Sequence, residues 1–330
     1  MEMSKILSNT ALGIDLGGSK ILAVVTDAEN NVIAAAKNPT DALLPPEGIV
    51  KAMKATAAEA LAKLGLKIAD VDFAGAAVPS PVDPTTAEAL FATNLSWKKA
   101  SLKTLLRREF GRDVVLGNDG NLGILGEHFC GAAKGYSSSV GYFIGTGLGG
   151  GIIVNNELLL GKSGMAAELG HAIIATGGRR CGCGHRGCAE AYCSKLAFVK
   201  ALKKEVFKRG NKTSLPSDKF DKNSKNIKSK YLVRAYAEGD PSVRKVVDKG
   251  LRMLGVAMAS TCAVVAPECI VIGGGFAVSM GEAVLPPVET SFAQHLFGQN
   301  PKSIPIKLST LGDNAVAVGA TILARKAAEK

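Results

Sequence analysis

Short apolar runs broken by Gly-rich bends open the chain. Ala11–Ile14 meets the polar bend Asp15-Leu-Gly-Gly-Ser-Lys20, and a second run, Ile21–Thr26, continues beyond it. Asp27-Ala-Glu-Asn-Asn31 is a turn cluster and Val32–Ala36 resumes strand character. The spacing predicts a β-hairpin with a Gly-rich bend, followed by a third strand. From Ile49 to Gly65 the period becomes helical, with Met53, Ala57, Ala60, Leu61 and Leu64 on one side. Val71–Val78 reads as a buried strand ending at Pro79-Ser-Pro81, and Leu102–Phe110 as a helix. Val114–Leu116 is a strand running into Gly117-Asn-Asp-Gly120, and a helical stretch follows from Asn121 to Ala133.

The opening pattern then recurs. Ser139–Ile144 is a strand, Gly145-Thr-Gly-Leu-Gly-Gly-Gly151 a bend, Ile152–Val154 the returning strand and Asn155-Asn156 a turn. This predicts two copies of one α/β unit facing each other across a cleft, and no short-period solenoid. Val243–Val265 is a long helical pattern stopped by Pro267; Cys269–Ile272 is a buried strand delivered into Gly273-Gly-Gly275. Leu308 opens a short strand, and Asn314–Ala328 closes the chain as an Ala-rich helix. No stretch has linker composition. The expected division is residues 1–119 with 312–330 as the smaller lobe, and 120–311 as the larger.

Composition narrows the function classes. At 330 residues the chain has roughly two domains' worth of length. A hydrophobic share of 47% against 21% charged excludes an intrinsically disordered chain. Aromatics are 5% and Trp97 is the sole Trp, which weighs against stacking platforms for single-stranded nucleic acid. No membrane-length apolar segment or signal peptide is visible, and the seven Cys are an odd number in a chain too large to need disulfide staples. A reduced, cytoplasmic protein is expected. The formal charge of +11 sits mostly between Lys200 and Lys230, where eleven Lys or Arg face Glu205, Asp218 and Asp221. That stretch reads as an exposed helix end plus a solvated loop, so no nucleic-acid or membrane partner is expected.

Three Gly-rich turns follow three strands, at Asp15–Lys20, Gly145–Gly151 and Gly273–Gly275. Glycine lets backbone N–H groups close around phosphate oxygens. Neither the P-loop nor the dinucleotide fingerprint fits, because a strand follows each of the first two bends. Asp15, where strand meets bend, can hold Mg²⁺ through water or cap its own turn. Asn118-Asp119 ends another strand: Asp119 can take the proton of a substrate hydroxyl during phosphoryl transfer, or cap the helix that follows. Glu168-Leu-Gly-His171 followed by Cys181-Gly-Cys183-Gly-His-Arg-Gly-Cys188-Ala-Glu190 is the strongest local signal. Three thiols and an imidazole can close a tetrahedral, structural Zn²⁺ shell. His185 competes with His171 for the fourth position, and Cys193 is a further contender. Glu168, His171 and Glu190 together suit recognition of a polyol.

These residues together resemble the ROK family of sugar kinases and sugar-responsive repressors, within the actin-like ATPase superfamily. The likeness runs from Gly13-Ile-Asp-Leu-Gly-Gly-Ser-Lys20 to the C-terminal helix, and Glu168-x-x-His171 with Cys181-x-Cys183-x₄-Cys188-x-Glu190 carries most of it. It implies two actin-like, ribonuclease H-like α/β lobes around a central cleft with a zinc knuckle. It also implies MgATP-dependent phosphorylation of a hexose 6-hydroxyl, glucose foremost, by a homodimer. N-acetylmannosamine, N-acetylglucosamine and fructose are the alternative substrates.

By resemblance Asp119 is the catalytic base, and Asn94, Asn118, Glu168, His171 and Glu190 bind sugar. The phosphate and nucleoside side falls to Asp15, Gly17, Gly18, Ser19, Lys20, Gly145, Thr146, Gly147 and Gly274, and the structural zinc to His171, Cys181, Cys183 and Cys188. Three departures stand out: Ser19 where Thr is usual, Ser80 where Gly is usual, and Ala167 where a Gly usually precedes the Glu. A sugar-responsive repressor is the rival from another class. Its relatives carry a winged helix-turn-helix before the first bend, for which the dozen or so residues ahead of Asp15 are expected to be too few.

Overall fold

The computed structural model describes residues 9–41, 43–90 and 101–329. The chain folds into two compact units. The first comprises residues 1–135, 151–167 and 313–330, and the second residues 136–150 and 168–312.

Unit one is built on a five-stranded sheet in the order β3-β2-β1-β4-β5. The strands are β1 (Ala11–Leu16), β2 (Lys20–Thr26), β3 (Val32–Pro39), β4 (Phe73–Val78) and β5 (Val115–Asn118). β1, β2 and β3 are antiparallel neighbours, while β4 runs parallel to β1 and to β5. Strand alternation sorts the side chains of β1. Leu12, Ile14 and Leu16 join the core cluster with Met53, Leu61 and Leu106 from α1 (Pro46–Ala62) and α2 (Leu102–Phe110). Gly13 faces the other way, where a Cβ would strike the backbone of Ala317 on α10 (Ala315–Ala328). α1 starts three residues before the expected Ile49, because Pro46 at its first position carries a φ already suited to a helix.

α3 (Asp119–Cys130) begins two residues earlier than expected. Its cap is Asn118, whose side chain accepts from the Asn121 N–H; Asp119 is therefore the first helical residue and not the cap.

Unit two holds β6 (Ser139–Ile144), β9 (Cys269–Gly273) and β10 (Ile306–Leu308), mutually parallel. With β7 (Leu148–Val154) and β8 (Glu157–Leu158) they form a sheet ordered β10-β9-β6-β7-β8. Numbered from its own first strand, each sheet reads 3-2-1-4-5, so the expected duplication is real at the level of topology. Leu308 ends β10 instead of opening it. The second Gly-rich bend is shorter than its composition suggests, because β7 already starts at Leu148.

The helices of unit two are α4 (Glu190–Cys193), α5 (Lys195–Lys203), α6 (Ser229–Ala237), α7 (Pro241–Val265), α8 (Gly275–Met280) and α9 (Leu285–His295). The basic stretch is anchored at three apolar side chains. Leu215, Phe220 and Ile227 are buried, and Glu205 pairs with Arg209 and with Lys245 at 3.0 Å. No helix among the described residues is long and apolar enough to cross a membrane.

Candidate active site

In unit one, β1 delivers Asp15 to the first bend. Asp15 is only 8% exposed. Burial pushes its pKa up to about 7, with Asp119 and Asp313 adding to the rise and Lys20 opposing it. Asp119 and Asp313 thus both act on Asp15, while Asp313 is itself paired with lysines. The bend is closed by the Gly17 N–H donating to Lys20 O at 2.9 Å. Thr40 pins it from outside: its N–H donates to Ser19 O at 3.1 Å and its Oγ1 to Gly17 O at 2.8 Å. Lys20 Nζ rests on Asp313 Oδ2 at 2.7 Å, an oxygen shared with Lys37 Nζ at 2.9 Å.

Sequence reading missed both Thr40 and Asp313. The only signal for Thr40 was its place just after the strand that pairs Pro39 with Lys20. Nothing local marked Asp313, which lies almost the whole chain away.

β5 ends in Asn118 and passes into Asp119. Asp119 Oδ1 accepts from its neighbour Gly120 N–H at 2.8 Å and from Asn118 Nδ2 at 3.2 Å. These bonds fix the carboxylate at a strand end, where it can accept a proton from a hydroxyl brought within reach. Asn118 Nδ2 also donates to Ser80 O at 3.3 Å. Ser80 itself is buried and turns its hydroxyl onto Pro81 O at 2.9 Å, so the departure from Gly adds no free polar group. Asn94 falls outside the described residues.

In unit two the second bend is Gly145-Thr146-Gly147. Gly145 O accepts from the Lys195 N–H at 3.1 Å and Thr146 O from the Leu196 N–H at 3.3 Å, so the bend sits on the start of α5. Gly274 has φ 86°, and a Cβ there would press on the backbone of Ile144 at 2.6 Å, which brings the third Gly turn against the second. Glu190 Oε2 accepts the Leu148 N–H at 3.1 Å. Burial raises the pKa of Glu168, with His171 opposing the rise and Glu190 adding to it, so these three side chains share one neighbourhood.

The ligand atoms of His171, Cys181, Cys183 and Cys188 all lie within 4.8 Å of one another. Cys183 and Cys188 sulfurs are 3.7 Å apart, and Cys181 Sγ is 3.9 Å from His171 Nδ1. Tetrahedral bonds of ~2.3 Å put sulfurs ~3.8 Å apart, so three thiols and one imidazole fit a zinc ion. His185 lies outside this group, its Nδ1 3.6 Å from Cys183 Sγ. Cys193 is also outside, fully buried and bonded to Gly250 O at 3.2 Å.

A family model described as the ROK family matches residues 11–327. The chain is 34% identical over 316 residues to a glucokinase of Streptomyces coelicolor, covering 96% of this chain and 97% of that enzyme. It is also 34% identical to a ROK family glucokinase from Streptomyces griseus, solved in complex with glucose and AMPPNP. That match has a TM-score of 0.83 and covers 96% of this chain and 99% of the other. A xylose repressor of Caldicellulosiruptor bescii is 29% identical over 245 residues, which is 74% of this chain and 60% of the repressor.

Proposed function

This chain belongs to the ROK family, and from that premise we propose that it transfers the γ-phosphoryl group of ATP to the 6-hydroxyl of glucose. The observation that carries the reading is Asp119. Its carboxylate is held at the end of β5 by Gly120 and Asn118, in the same electrostatic set as Asp15. As the sugar oxygen attacks phosphorus in line, Asp119 takes the hydroxyl proton, and the bond to the ADP leaving group breaks. Asp15 would hold a magnesium ion, which would supply charge neutralisation at the phosphates. The bends at Gly17–Lys20 and Gly145–Gly147 would receive the phosphates, with Gly274 on the nucleoside side.

Asn118, Glu168, His171 and Glu190, together with Asn94, would hold the sugar hydroxyls. The near-complete coverage of two glucokinases supports glucose over the other hexoses. A structural zinc on His171, Cys181, Cys183 and Cys188 would fix the segment that carries Glu168 and Glu190. The enzyme would work in the cytoplasm as a homodimer.

Phosphorus NMR of the reaction with MgATP and a panel of glucose, mannose, fructose, N-acetylglucosamine and N-acetylmannosamine tests the assignment. Glucose 6-phosphate is the expected product. Turnover of an N-acetylhexosamine with glucose inert would overturn the substrate while leaving the reaction. No phosphorylated sugar from any member would overturn the reaction itself.

A further inference from the structure

Glu190 is given to the sugar in the kinase reading, yet within its own unit both carboxylate oxygens already meet protein groups. Oε2 accepts the Leu148 N–H at 3.1 Å, at the exit of the bend Gly145–Gly147. The same oxygen occupies the space a side chain at position 147 would need, since a Cβ built on Gly147 would overlap it. Oε1 faces Cys181 Sγ at 3.5 Å. On its other side the bend is gripped by Lys195 and Leu196 N–H groups, bonded to the carbonyls of Gly145 and Thr146. Two glycines in three residues give this bend more conformational freedom than other residues would. The bend closes on itself through the Gly145 N–H donating to Gly147 O at 3.0 Å, and at the exit Glu190 adds a constraint from outside.

We propose that Glu190 is a positioning residue for the nucleotide, its carboxylate holding the exit of the Gly145–Gly147 bend in the shape that receives phosphate. The inference rests on the kinase reading. A side-chain oxygen accepting a backbone N–H fixes the bend by a directional bond that any correctly placed oxygen can make. Without it, the cost of ordering the bend falls on nucleotide binding. A role confined to the sugar would leave nucleotide binding untouched when no sugar is present.

The test is calorimetric binding of a non-hydrolysable ATP analogue with Mg²⁺ and without sugar, using the full chain. Glu190→Ala is expected to weaken binding about tenfold. Glu190→Gln keeps an oxygen that can accept from Leu148 and is expected to stay close to the unmodified protein. Glu190→Asp keeps the charge but falls one methylene short, so it is expected to bind as weakly as the Ala variant. A purely electrostatic role would reverse the order of Gln and Asp, and that reversal would overturn the proposal even if Glu190→Ala does not fold. Gly147→Ala is expected to weaken binding alone but to add nothing to Glu190→Ala, where the obstructing oxygen is gone.

Unchanged nucleotide affinity in all three Glu190 variants would also overturn the proposal, while binding by the unmodified protein would leave the kinase reading standing. Failure of the unmodified protein to bind the analogue would overturn both.

Discussion

Ala167 holds a left-handed backbone, φ 62°, immediately before Glu168. A side chain in that region costs about 1–2 kcal/mol, a cost that glycine escapes. The resemblance to ROK proteins marked this position as one where a Gly is usual, and the φ gives the physical reason. Ala167→Gly removes the strain but enlarges the freedom of the unfolded chain, so a net gain of about 0.5–1 kcal/mol is expected in urea unfolding. A loss of stability would show that the strain is absent.

Asp15 carries the opposite kind of tension. Its pKa of about 7 lies far above the ordinary carboxylate value. The folded protein thus keeps a proton that the unfolded chain releases between roughly pH 4 and 7. Stability contributed by this group falls as pH rises through that window. Asp15→Asn in metal-free buffer is expected to flatten the decline in thermal midpoint and to leave the variant the more stable of the two at about pH 8. Equal slopes would contradict the burial argument.

At the scale of elements, alternation and helical period revealed every strand but β8, and the helices α1, α2, α3, α7 and α10, because each carries a sustained apolar pattern; β8, α6 and α9 went unread. What they could not reveal was why a glycine stands where it does. Leu148–Gly151 reads as a turn by composition, yet these glycines serve close packing in β7. A Cβ at Gly150 would press on Leu169 at 2.7 Å and on Gly141 O at 2.9 Å. Gly319 was equally silent in sequence. It lies mid-helix in α10, and a Cβ there would overlap the Leu122 carbonyl of α3, so the two helices meet backbone to backbone. Gly319→Ala is expected to destabilise the protein by about 1–3 kcal/mol despite the better helix propensity of Ala. Unfolding by denaturant measures it, and a neutral or stabilising outcome would contradict the close approach.

For the whole molecule, the site was legible wherever its chemistry is local in sequence. The three clustered Cys, Glu190 just beyond Cys188, and Asp119 at a strand end all announce themselves within a few residues. Thr40 and Asp313 stayed hidden because only the folded chain brings them to the first bend. The Lys and Arg of the basic stretch are largely exposed, as their charge suggests, while apolar residues among them anchor it: Phe220 is 3% exposed and packs on Phe207 with ring centroids 5.2 Å apart. The net charge of +11 is therefore carried largely by an ordered part of unit two.

The central claim is proton removal by Asp119 during phosphoryl transfer from ATP to glucose. The most direct measurement is glucose-dependent ADP release by the unmodified protein and by Asp119→Asn, under the same MgATP. The expected result is a kcat at least about 10²-fold lower in the variant with glucose KM little changed, since the amide keeps the shape but cannot take the proton. An Asp119→Asn enzyme that turns over glucose at the unmodified rate would contradict the account.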